Sequence, residues 1–451
     1  MVLSAFGCSN PFARKEPPPE DETPAGKDPG EDPGEDPGGN SGSSDPADIK
    51  LTAPVTPVPQ GAAANITYAV IRKGDLWLGT DSTHLWRQTD SGDVAEAVWA
   101  PDGHAIAFLR TPTLDAGVYS LHTLVPGDTP VLVDHDVVAI PAWLNSRGFL
   151  WSPDSTQLAY GVNNGTEIGV AGPGQGKGSF LIDLELEQGP YWLSNDCLVY
   201  SSSGQRPSLV IVNTMGDVIN TLPDTSGPYP INDGIFAVSG EYDPDGIMEC
   251  FYYTGIVHAG IDGANVRQVY NENPDFCLFS WNPLEPSRNT DAKYFAVSNA
   301  GSLFLQKYAG LTKAYPEKID LLTQDIYLTY SEFSYPFWFA WAPDGNSLAA
   351  LRFTLTQEGD FGEQEGVWDL VRLDREGDPE MLLANIYSVS GDEQPIPFLA
   401  LPFNWSPEGR QINYLVEGSD GDDLWQINLA DKTAGLFLED SGLPEYRPQI
   451  P

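Results

Sequence analysis

From Ile66 onward, apolar and polar residues alternate in short runs, and the alternation itself repeats. Val98-Trp99-Ala100-Pro101-Asp102-Gly103 leads to Ile106-Ala107-Phe108, and Phe149-Leu150-Trp151-Ser152-Pro153-Asp154 leads to Leu158-Ala159-Tyr160. Phe339-Ala340-Trp341-Ala342-Pro343-Asp344-Gly345 leads to Leu348-Ala349-Ala350, and Phe403-Asn404-Trp405-Ser406-Pro407-Glu408-Gly409 leads to Ile412-Asn413-Tyr414. In all four copies the apolar residues return seven and nine positions after the tryptophan. Period-two alternation predicts strands. Pro-Asp-Gly supplies turn chemistry: proline fixes φ, aspartate bonds nearby backbone, glycine takes positive φ. Each copy therefore predicts a β-hairpin.

Further strands complete each unit. Val118-Tyr119-Ser120-Leu121, Phe180-Leu181-Ile182-Asp183 and Leu424-Trp425-Gln426-Ile427 read as third strands. A polar turn and a fourth strand follow, as at Asp374-Arg375-Glu376-Gly377 before Met381-Leu382-Leu383. Eroded copies begin at Tyr191-Trp192, at Phe279-Ser280-Trp281 and near Ile235-Phe236-Ala237-Val238. The last of these continues into a third-to-fourth strand turn at Ile261–Val269.

These residues resemble the TolB-like, PD40-type WD40-like repeat, in which aromatic-x-Trp-Ser-Pro-Asp-Gly-x-x-Ile-Ala-Phe marks the first two strands of a blade. Ser155 in place of glycine and Glu408 in place of aspartate depart from that pattern. The resemblance covers residues 64–451 and implies an all-β fold, a single β-propeller of four-stranded blades. It says little about activity. Four-stranded units cannot bury both faces alone, and radial stacking buries them. A β-sandwich or several small β domains is the competing architecture.

The first segment supplies only three strands, Thr67–Ile71, Asp75–Leu78 and Leu85–Gln88, while Glu445-Tyr446-Arg447-Pro448 reads as one more innermost strand. The C-terminus is therefore expected to pair with the N-terminal blade and close the ring. Innermost strands are expected near 98, 150, 191, 236, 280, 340, 404 and 447. That gives eight blades, or seven if the copy near 236 belongs to a neighbour.

The N-terminal stretch differs in kind. Met1-Val2-Leu3-Ser4-Ala5-Phe6-Gly7-Cys8 resembles the end of a bacterial lipoprotein signal, in which the cysteine is lipidated. No basic n-region precedes it, and the apolar run is short for a signal peptide; an ordinary free N-terminus is the other reading. Residues 1–8 are read as the signal remnant, 9–63 as a linker and 64–451 as the propeller. The linker carries Lys27-Asp28-Pro29-Gly30-Glu31-Asp32-Pro33-Gly34-Glu35-Asp36-Pro37-Gly38 and buries almost nothing, so disorder is expected. Proline and like charge stretch such a tether.

Charge narrows the partners. Asp and Glu number 64 against 23 Lys and Arg, for a net −41. Beyond residue 50 the net is still −34, so the folded body is itself acidic. Such a surface repels phosphate backbones and anionic lipid headgroups, which excludes nucleic acid and leaves a lipid anchor as the membrane contact. Four cysteines, Cys8, Cys197, Cys250 and Cys277, are too few for a disulfide scaffold. Cys250 and Cys277 are read either as buried thiols or as a bonded pair.

The search for chemistry returns little. His84, His104, His122, His135 and His258 share no metal-ligand spacing. The run 171–179 resembles a phosphate loop, but Ala171 and Gly178 stand where Gly and Ser/Thr are required, and an inter-strand loop is expected. No Gly-x-Ser-x-Gly elbow occurs. Asp243-Pro244-Asp245-Gly246 and Asp420-Gly421-Asp422-Asp423 lack a full calcium-ligand ladder and read as turns. The repeat tryptophans read as core anchors; Trp338 is undecided between core and ring mouth.

Taken together, no catalytic, metal or cofactor-binding residues are expected, and Cys8 is the single modification site. The expected function is a monomeric, non-enzymatic binding or scaffold protein at the cell envelope, holding a protein or polymer on a loop face. Long insertions near 284–293, 324–337, 355–366 and 384–400 are the expected partner surface. The alternative is a propeller enzyme, a polysaccharide lyase or glycosidase, with its site in the central channel.

Overall fold

A computed structural model describes residues 58–59, 61–111, 118–138, 148–172, 178–181, 186–202, 206–231, 234–242, 251–270, 278–281, 293–299, 302–308, 318–323, 339–358, 364–374, 379–389, 403–417 and 422–448. Among the described residues, strands form six antiparallel sheets of four and one sheet of eight. The eight-stranded sheet is two four-stranded runs, Val94–Trp99 to Val131–Val138 and Phe149–Trp151 to Gly178–Leu181, linked where Val137 pairs with Val162 and Val138 with Gly161. The chain is an all-β propeller, as the repeat implies.

Each tryptophan-headed hairpin forms as expected. Trp99 pairs with Ile106, Trp151 with Leu158, Trp341 with Leu348 and Trp405 with Ile412. The turns close alike: Gly103, Ser155, Gly345 and Gly409 each donate N–H to the carbonyl three residues back, at 2.8–2.9 Å. All four have φ between +62° and +65°. Ser155 thus adopts the left-handed conformation that glycine takes elsewhere.

The sheets then stack through their apolar faces. Val98, Leu109 and Leu121 pack with Phe149, Leu158 and Tyr160 across one boundary. Leu351, Trp368 and Leu370 pack with Phe403, Trp405 and Ile412 across another. Indole N–H groups stitch the inner strands: Trp151 Nε1 donates to Val98 O at 3.3 Å, Trp192 to Leu150 O at 3.0 Å and Trp405 to Ala340 O at 3.1 Å. Each acceptor is the residue just before the neighbouring strand's tryptophan, so the repeat specifies packing between sheets as well as within them.

The first sheet takes strands from both chain ends. Tyr68–Arg72 pairs with Asp75–Asp81 on one side and with Glu445–Tyr446 on the other, in the register Tyr68↔Tyr446 and Ala69↔Glu445. Val58, which composition places in the linker, is buried against Ile66, Leu76 and Trp99.

Two expectations are corrected. The innermost strand expected near 236 is Thr225–Ile231, and Gly234–Tyr242 is the second strand of that sheet. Gly227, Pro228 and Pro230 hide the strand in the sequence. They are tolerated because it lies at a sheet edge and carries a bulge between Ser226 and Tyr229. The segments near 355–366 and 384–400 are partly strand. Ser347–Glu358, Gln364–Asp374 and Pro379–Val389 extend one sheet, with pairing as far as Glu358↔Gln364 and Gly366↔Val389. The segment 324–337, nearly all of 284–293, Cys8, Cys250, Cys277, Trp338 and residues 243–246 lie outside the described residues.

Candidate functional site

Among the described residues, a concavity lies where the chain ends meet. A cleft of about 740 Å³ opens between the last sheet and the first, on the face that carries the Pro-Asp-Gly turns. Its wall comes from Thr67, Tyr68, Asp81, Glu408, Gln426 and Tyr446, with Asp102 and Arg447 at the rim. These elements converge because Glu445–Tyr446 supplies the first sheet's inner strand while the turn 406–409 belongs to the last hairpin.

Polar order at this seam is high. Asn413 is fully buried, donating to Asn404 Oδ1 at 2.8 Å and the Tyr446 hydroxyl at 3.0 Å. Its own Oδ1 accepts from Gln426 Nε2 at 2.9 Å, and Asn404 Nδ2 donates to Pro444 O at 2.8 Å. Burial pushes the Tyr446 phenol above its usual range, with Glu408 adding in the same direction against the Asn413 bond. Burial also pushes Tyr68 far up, helped by the Asp81 charge; its hydroxyl donates to Asp81 O at 2.9 Å.

Asp81 goes the other way. Its Oδ1 accepts from the Thr83 hydroxyl at 2.6 Å, Thr83 N at 2.8 Å and His84 N at 3.0 Å, while His84 Nδ1 faces Oδ2 at 2.9 Å. These bonds, the Thr83 hydroxyl foremost, hold the carboxyl far below the usual carboxylate range.

Arg447 locks the rim. Its Nε donates to Gly103 O at 2.7 Å and its Nη1 to Ala63 O at 2.8 Å, with the guanidinium 5.3 Å from the Trp99 ring centroid. Gly103 is required here twice over. Its φ is +64°, and a Cβ would sit 2.9 Å from Pro448 O. The cleft thus presents carboxylates and amides fixed by their neighbours, suited to holding a polar or cationic group.

The residues singled out in the sequence scatter. His84 begins the strand His84–Arg87, and His104 is at a turn, where its N donates to Asp102 Oδ1 at 2.8 Å. His122 and His258 are buried in cross-strand pairs with Phe108 and Phe236, at ring-centroid distances of 5.4 and 5.2 Å. Glu167–Ala171 and Gly178–Leu181 pair antiparallel, so the glycine-rich run 171–179 bridges two strands. Asp422 and Asp423 begin a strand. Cys197 is a half-buried free thiol. Among the described residues no three His, Cys, Asp or Glu side chains gather as a metal site. No described helix is long and apolar enough to cross a membrane.

The sequence places Tyr446 and Arg447 on the closing strand but reads none of Asn404, Asn413, Tyr446 and Arg447 as a site residue, yet a signal is there. The positions one before and eight after the tryptophan are Val98/Ala107, Leu150/Ala159 and Ala340/Ala349, but Asn404/Asn413 in the last copy. That paired switch marks the copy facing the chain ends.

No family model matches the chain, and no curated protein matches it. Solved structures do. The dihydro-heme d1 dehydrogenase NirN, in complex with DHE, is 12% identical over 88% of this chain and 79% of its own, with a TM-score of 0.51. TolB from Acinetobacter baumannii is 14% identical over 77% and 68%, with a TM-score of 0.39. The β-propeller domain of the Trilobed protease from Pyrococcus furiosus is 12% identical over 77% and 98%, with a TM-score of 0.43. At such identities the likeness concerns the fold alone.

Proposed function

We propose that this propeller is a non-enzymatic binding scaffold, exported to the cell envelope and held there by lipid on Cys8. Its ligand or partner is received on the Pro-Asp-Gly face, over the seam cleft. The observation that carries this reading is the state of the cleft's groups. Tyr68 and Tyr446 are pushed up and Asp81 down, all away from neutrality. Arg447 is committed to backbone carbonyls. A proton-transfer site wants groups poised near the working pH; a binding site wants fixed donors and acceptors on a rigid frame.

The test uses the full chain in envelope preparations, with a photo-crosslinking residue at exposed Glu408 or at exposed Lys73 on the opposite face. The reading expects a discrete adduct from position 408 and none from 73. Release of products from polygalacturonate or other acidic polysaccharides by the purified protein would contradict it and favour a polysaccharide-degrading propeller. A mature protein without acyl mass at Cys8 would contradict the anchor alone.

A further inference from the structure

A second surface stands on the same face at the outer rim, away from the cleft. Met215 is 77% exposed and Val218 59%, and Ile219, Ile261 and Val266 are exposed beside them. They come from two sheets. Met215, Val218 and Ile219 lie on the last turn and outer strand of the sheet 186–223; Ile261 and Val266 lie on the corresponding turn of the next. Asn220 Nδ2 donates to Asp262 O at 3.1 Å, and a Cβ on Gly263 would meet Ile211 Cδ1 at 2.7 Å, so the two rims touch. Five large apolar side chains on one rim exceed the scattered exposure normal for a soluble protein.

The backbone there is also open. Val218–Pro223 is the terminal strand of its sheet and pairs only with Ser208–Asn213 among the described residues. An edge strand with unpaired backbone groups and apolar side chains is a template for strand addition.

Charge selects the occupant. Asp196, Asp217 and Asp262 border the patch: Thr214 N donates to Asp196 O at 3.2 Å, Asn213 Nδ2 to Asp217 Oδ2 at 2.9 Å and Ala264 N to Asp262 Oδ1 at 2.9 Å. The nearby cations are ion-paired or withdrawn. Arg206 makes a two-point pair with Asp224, and Arg267 has its Nε and Nη2 out of solvent. A second copy would bring the same carboxylates to a chain of net −41, and anionic lipid would be repelled likewise.

We infer that this rim docks an extended segment of a partner protein, with alternating apolar and Lys/Arg side chains, added as a strand along Val218–Pro223. The test is titration of the full chain with a synthetic peptide of alternating valine and lysine, about eight residues long to span the edge. Saturable binding is expected. Val218→Asp and Ile219→Asp should each weaken it at least tenfold, although each adds a charge that attracts lysine. Leu436→Asp, at an exposed apolar position on the last sheet, should leave it unchanged. Melting temperatures of the three variants keep misfolding separate. Equal binding by all three, or equal binding of a glycine–lysine peptide, overturns the inference. So does self-association, or adhesion to vesicles of anionic phospholipid, that Ile219→Asp abolishes.

Discussion

Trp99 donates its indole proton to the backbone carbonyl of Glu445 at 3.0 Å, across 346 residues of sequence. The acceptor again precedes an aromatic head, here Tyr446, so the C-terminal strand occupies the place a tryptophan-headed strand holds elsewhere. The last strand is recognised by the same bond that joins consecutive copies.

Removing that bond gives the first prediction. Trp99→Phe keeps the ring but leaves Glu445 O without its donor, at about 1–2 kcal/mol. Trp99→Ala also removes the buried ring under Arg447 and should cost about 3–5 kcal/mol. Denaturant melts of the two variants check the order, and equal melts would contradict it.

The buried seam network yields the second. Asn413→Leu takes from Gln426 Nε2, Asn404 Oδ1 and the Tyr446 hydroxyl, all half-buried, the buried partner they share. The expected cost is about 2–3 kcal/mol. The paired change Asn404→Ala with Asn413→Ala, which copies the residues of the preceding repeat, should cost less than the two single changes added together. A double-mutant cycle measures the difference.

Much of this was legible in the sequence and some was not, for physical reasons. Trp99, Trp151, Trp341 and Trp405 announce their hairpins because indole, turn and returning apolar pair occupy fixed spacings. The Trp192 copy survives a shortened turn because Leu198 and Tyr200 keep the alternation. Thr225–Ile231 was hidden because prolines suit an edge strand as well as a loop. The cleft was hidden because it joins residues nearly 400 positions apart, and no local pattern reports that Arg447 reaches Ala63. Asn404 and Asn413 were visible as a departure from the repeat, but their meaning depends on which strand lies beside them.

Acid should weaken the fold through His122. Burial, with Arg110 and then His135 adding, pulls its imidazole down to about 4, against about 6.5 in an unfolded chain. Between those values the unfolded chain takes the proton and the folded one does not. The stability is therefore complete above about pH 6.5 and is lost as pH falls toward 4, by about 3 kcal/mol. His122→Gln should flatten that part of the profile. A wild-type and variant pair with parallel profiles from pH 7 to 4 would contradict the assignment.

Trimming the C-terminus should be worse than any point change near it. Ending the chain after Gly442 removes the partner of Tyr68 and Ala69, the acceptor of Trp99 and the Arg447 clamp together. The truncated protein should bind a hydrophobic dye and lose protease resistance in 68–99 first. Retention of full resistance there would count against a structural role for the strand.

The most direct test joins the two ends covalently. Ala69 and Glu445 face each other across the first sheet, so Ala69→Cys with Glu445→Cys should form an intramolecular disulfide under mild oxidation. Peptide mapping by mass spectrometry would find it in monomeric protein. The account predicts that bond in nearly all molecules, with a raised melting temperature. Free thiols at both positions, or bonds only between molecules, would contradict it.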